Sequence, residues 1–132
     1  MAALQRSYVE HVAVRVSDIQ WHMRFFSEVL GMEVREIEGS TDAPNQYWTI
    51  GGMQLISDPD FVAPPSNDGG WLAHIGIMVQ DLEAALRDAR PWGVQALPQG
   101  RHWLQLPDGL AIELIQAHGE AVAQVLAVNA RA

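Results

Sequence analysis

Four residues in this chain combine metal-ligand chemistry with a repeated spacing. His11 and His74 stand 63 residues apart, each near the start of an apolar run that ends in aspartate, at Asp18 and Asp81. Gln54 and Glu113 stand 59 apart, each the second residue of matching runs that begin at Met53 and Ile112. Two imidazoles, a carboxylate and an amide oxygen form a donor set for a divalent cation. Imidazole suits Zn, Ni, Co, Fe and Mn, and oxygen donors widen the choice. Two histidines and one carboxylate with open positions are also the set used by non-haem Fe(II) oxygenases. Taken singly, each residue is an ordinary polar group on a strand, and it is the repeat that links them. Glu113 is the most demanding. Ile112 and Leu114 flank it, Ala111 and Ile115 share its face, and a buried carboxylate without a partner is costly.

The elements that must position these residues follow from periodicity. Residues 8–16 alternate, with Val12, Val14 and Val16 on one face and His11, Ala13 and Arg15 on the other. Ser17 or Asp18 caps a helix over 19–30 that Gly31 ends. A strand over 32–38, a loop over 39–46 and a hairpin, 47–50 with 53–57 around Gly51-Gly52, complete the first copy. The second copy repeats the order. It has a strand over 72–79, a helix over 82–90 capped by Asp81 and stopped by Pro91 and Gly93, and a short strand over 94–97. A hairpin, 102–106 with 111–116, closes around Pro107-Asp108-Gly109. Alternation allows one of His102 and Trp103 to face the cavity, not both. His22 and His118 are expected at the surface.

The fold class is therefore α+β, with two tandem βαβββ modules forming curled mixed sheets around a cleft. The chain is expected to be a single domain, 1–132. Module 1 spans about 8–57, a Pro- and Gly-rich linker 58–70, module 2 about 71–117, and an Ala- and Val-rich tail 118–132. At 132 residues and 48% apolar content the chain can bury a real core. A net charge of −8 with no basic stripe argues against nucleic acid as a partner. No apolar run approaches the roughly 18 residues of a membrane span, and residues 1–8 lack the apolar stretch of a signal peptide. Without cysteine, disulfide and thiolate chemistry are excluded. A soluble, cytoplasmic protein is expected.

Three stretches resemble the vicinal oxygen chelate superfamily, which includes glyoxalase I, methylmalonyl-CoA epimerase, extradiol dioxygenases, fosfomycin-resistance enzymes and bleomycin-binding proteins. They are His11 to Ile19 with the following Phe25 to Met32, Ala73 to Leu82, and Pro107 to Ile115. Together they span nearly the whole chain. The resemblance implies that His11, His74, Glu113 and Gln54 hold a divalent ion (Ni, Co, Zn, Mn or Fe). It implies a metal-dependent lyase or isomerase of glyoxalase type, in which the ion chelates vicinal substrate oxygens and stabilises an enolate-like intermediate. Glu113 is then the candidate catalytic base, because Gln54 cannot take a proton at neutral pH. Arg15 matches an arginine that binds a substrate carboxylate, against the plainer reading of an ion pair with a nearby acid. His102 or Trp103 would complete the substrate wall. The alternatives are a small extradiol-type dioxygenase using Fe(II) and a small-molecule or drug-binding protein without catalysis. Relatives of this length imply a homodimer, with modules paired within a chain or across two.

Overall fold

The computed structural model describes residues 5–63 and 72–128. Two four-stranded mixed sheets, neither closed into a barrel, carry the helices. In module 1, β1 (Val12–Val16) leads into α1 (Ile19–Arg24), then β2 (Val34–Gly39), β3 (Pro44–Thr49) and β4 (Met53–Ser57). In module 2, β5 (Ile75–Val79) leads into α2 (Leu82–Ala89), then β6 (Gln95–Leu97), β7 (Gly100–Gln105) and β8 (Ala111–Gln116). A short α3 (Ala121–Leu126) follows. Strand order is β1-β4-β3-β2 in one sheet and β5-β8-β7-β6 in the other. The first strand of each module pairs in parallel with the last, and the other pairings are antiparallel. The sheets are thus two copies of one design, with β1 and β5 each at an edge.

The helices α1 and α2 each start where a carboxylate waits. Asp18 accepts from the Trp21 amide at 3.1 Å and Asp81 from the Ala84 amide at 3.0 Å, satisfying N–H groups that the first helical turn leaves without partners. The helix expected over 19–30 changes character midway. After Arg24 it widens into a π-helical turn, Phe25–Val29, and Leu30 donates to the Phe25 carbonyl. This turn holds both Phe25 and Phe26 fully buried. The third strand begins at Pro44 rather than at Tyr47. Ser40 closes a tight turn by accepting from the Ala43 amide, so the expected loop is shorter. Pro44 takes the first strand position, where a missing N–H does little harm.

One apolar core joins the modules, built from Val14, Val16, Phe25, Phe26, Tyr47 and Leu55 on one side and Val79, Leu86, Ile112 and Leu114 on the other. Its junction lies on the helix-covered side of the sheets. Trp21 of α1 meets Trp92 edge-on at 6.0 Å, and the Arg24 guanidinium lies 5.1 Å from the Trp92 ring. Asp108, from the turn between β7 and β8, accepts from both the amide and the hydroxyl of Ser17 at the end of β1. His22 belongs to this core. It was expected at the surface but is only 1% exposed, because the helical face that carries Ile19 and Phe26 also carries the imidazole. Residues 64–70 of the expected linker and 129–132 of the tail lie outside the described residues. No described helix is long and apolar enough to cross a membrane.

Candidate functional site

Strand register puts the predicted donors on the sheet faces opposite the core. In module 2, Gly76 pairs with Glu113 and Glu113 with Trp103, so these three share a face. His74 joins them from just before β5, two residues ahead of Gly76. Its ring meets the Trp103 indole edge-on, with centroids 4.5 Å apart. In module 1, Ala13 pairs with Gln54 and Gln54 with Trp48, and His11 stands two residues ahead of Ala13. The faces correspond residue by residue: His11 with His74, Ala13 with Gly76, Gln54 with Glu113, Trp48 with Trp103. A small residue stands beside each of Gln54 and Glu113 on the neighbouring strand, Ala13 and Gly76 respectively.

The state of each donor fits a cation in kind. His11 meets the Glu10 carboxylate through Nδ1 at 2.5 Å. In the tautomer that donates there, the lone pair of Nε2 points away from Glu10. Gln54, buried at 7% exposure, donates its amide N–H to the Gln46 side chain and keeps its carbonyl oxygen for another partner. Glu113 is half-buried, and among the described residues it has no hydrogen bond or ion pair. His74 makes no hydrogen bond among them either. Such groups favour an incoming cation, since a partly buried carboxylate gains most from one.

The two halves of the set do not meet inside one chain. Among the described residues, no three His, Asp or Glu side chains gather closely enough to hold one ion. His11 and Gln54 lie toward one face of the first sheet, and His74 and Glu113 toward the equivalent face of the second. The two donor-bearing faces belong to separate sheets, and the modules join through their helix-covered sides.

Trp103 is the residue of its pair that faces the site. His102 instead lines a shallow recess of about 290 Å³ with Leu82, Glu113, Leu114, Ile115 and Gln116. The recess lies beyond the end of the β7–β8 ladder, whose pairing runs from Trp103–Glu113 to Gln105–Ala111. Arg15 lies on the site face of β1, with Nε 3.8 Å from the Asp58 carboxylate and both side chains solvent-exposed. So long and screened a contact holds the guanidinium weakly. Trp48, Gln46 and Glu10 were missed in the sequence. The offset of 55 residues between Trp48 and Trp103 was a readable signal for the first. For Gln46 and Glu10, which act through side-chain contacts, it held none.

Among curated proteins, none matches the sequence. Solved structures share the fold. Fosfomycin resistance protein FosX of Listeria monocytogenes is 14% identical, with a TM-score of 0.63, over 91% of this chain and 98% of that one. The trypanothione-dependent glyoxalase I of Leishmania major is 21% identical, with a TM-score of 0.62, over 90% and 91%. TnmS3, an antibiotic-binding protein of a Streptomyces species, is 21% identical, with a TM-score of 0.54, over 88% and 100%. The family profile matches residues 8–106, and the chain belongs to the Glyoxalase/Bleomycin resistance protein/Dioxygenase superfamily.

Proposed function

We propose that this protein is a divalent-metal-dependent lyase or isomerase of glyoxalase type, working as a two-fold dimer. Each site pairs His11 and Gln54 of one chain with His74 and Glu113 of the partner subunit. The observation that carries the reading is the matched pair of half-sites. Equivalent faces present His and Gln in one module and His and Glu in the other, and Glu113 has no partner among the described residues.

The residues divide the work by chemistry. Bound there, a divalent ion supplies Lewis acidity to two neighbouring oxygens of the substrate. Of the two oxygen donors, Glu113 is the one that can carry a proton from carbon and return it. Arg15 binds a substrate carboxylate through its guanidinium fork. Trp48 and Trp103 wall the pocket and exclude water. Gln54 orients without taking a proton, so the chemistry runs through a single base.

The test is metal binding by the purified protein and its variants. Wild type should bind Ni, Co or Zn at one equivalent per chain. His74→Ala and Glu113→Ala should lose that binding while circular dichroism shows a native fold. Activity on catechols with Fe(II) would move the reading to the ring-cleaving alternative. A wild-type protein that binds small planar molecules but no metal overturns the enzymatic reading.

A further inference from the structure

The two histidines are held by different means, and this difference has a use. His74 follows Ala73 and rests against an indole edge. His11 follows Glu10, whose Oε2 meets His11 Nδ1 while its Oε1 lies 3.4 Å from Arg35 Nη1. Arg35 comes from β2, on the far side of the same sheet from β1. Its side chain is 17% exposed, so this contact is better shielded than a surface ion pair. The backbone beneath is clamped too. Gly52 accepts from the Val12 amide at 2.7 Å, and its own α-carbon leaves no room for a side chain against the Glu10 carbonyl.

Resting on the metal reading above, we propose that Glu10, braced by Arg35, is a positioning residue for His11. It holds the Nδ1–H tautomer and aims Nε2 at the ion. A carboxylate on the far nitrogen of a ligating imidazole fixes the ring and raises its basicity. Among the described residues, no such group stands beside His74. The His11 half-site is therefore pre-set before an ion arrives, and the His74 half-site is completed by it.

Wild type, Glu10→Ala, Glu10→Gln and His11→Ala are compared in two measurements. One is affinity for Zn²⁺ and Co²⁺ by chelator competition. The other is the His11 tautomer in metal-free protein by long-range ¹⁵N–¹H correlation. Glu10→Ala should weaken metal binding about 10–100-fold and shift His11 toward the Nε2–H form. Glu10→Gln, which keeps an acceptor oxygen, should recover part of both. If His11→Ala loses metal while Glu10→Ala changes neither readout, this inference falls and the metal reading stands. If Glu10→Ala loses metal as fully as His11→Ala with its tautomer unaltered, Glu10 is a ligand, not a positioning residue. Should His11→Ala bind as wild type does, or wild type bind neither ion, the metal reading falls and takes this inference with it.

Discussion

At the scale of single residues, burial sets His22 apart from the other four histidines. His22 lies in the core, with Nδ1 2.6 Å from the Asp18 carbonyl and its ring against Trp21 and Phe26. Burial holds its pKa below the usual 6.5, and the Asp18 carbonyl and the charges of Asp108 and Asp18 only partly offset this. Folded protein thus keeps His22 neutral at a pH where the unfolded chain already binds the proton. The sign follows from linkage. Stability from this residue is complete above 6.5 and declines as pH falls below it toward the lowered folded value, by at most about 1.4 kcal/mol per pH unit for one proton. Urea midpoints measured from pH 7.5 to 5.5 should fall in wild type and fall less in His22→Gln. Equal slopes in the two proteins would show that another group titrates.

At the scale of elements, the hairpin between β3 and β4 sets the position of the His11 backbone. Gly51 and Gly52 both have positive φ, +112° and +97°, so alanine at either strains the turn. They differ in what a Cβ would meet. At Gly51 there is open space, whereas at Gly52 the Glu10 carbonyl oxygen lies 3.0 Å away and the His11 α-carbon 3.7 Å. Each alanine variant should lose about 1–2 kcal/mol from backbone strain, read from denaturant melts. Gly52→Ala alone should also weaken metal binding, by displacing His11. Loss of equal size in both variants would mean that the contact does not position the histidine. These elements were largely legible in the sequence, because alternation and capping act locally. Val12, Val14 and Val16 announced β1, and Asp18 and Asp81 announced the helix starts. The π-helical turn was not legible, since Phe25-Phe26 fits a helix of either width and only the packing of both rings selects the wider one. The burial of His22 was equally hidden. The face it shares with Phe26 is apolar elsewhere, and the imidazole there meets a backbone carbonyl one turn back through Nδ1 while its buried Nε2 has no hydrogen-bond partner among the described residues. Of the candidate site, the repeat singled out His11, His74, Gln54 and Glu113, while the sequence left open whether the modules pair within a chain or across two. How the modules join depends on Ser17 meeting Asp108 and Trp21 meeting Trp92, contacts between segments distant in sequence.

At the scale of the whole molecule, the question is what covers the faces that one chain leaves open. The helix-side contacts, Trp21 with Trp92 and Ser17 with Asp108, join the covered sides of the two sheets. β1 and β5 each pair with a strand on one side only, and each carries an exposed apolar residue, Val12 at 50% and Met78 at 49%. Open edges with apolar side chains are faces that proteins ordinarily pair or cover. The proposed two-fold dimer would cover both, and it would let one chain's His11 face meet the partner's His74 face. Complementation between inactive variants tests this directly. His11→Ala and Glu113→Ala homodimers should each bind no metal. Mixed and allowed to exchange subunits, they should yield heterodimers with one doubly broken site and one intact site, recovering metal binding and whatever activity the wild type shows. Differently tagged subunits let the heterodimer be purified and its metal counted. A heterodimer as empty as its parents would show that His11 and Glu113 act from the same chain. A sedimentation mass of one chain would remove the partner altogether.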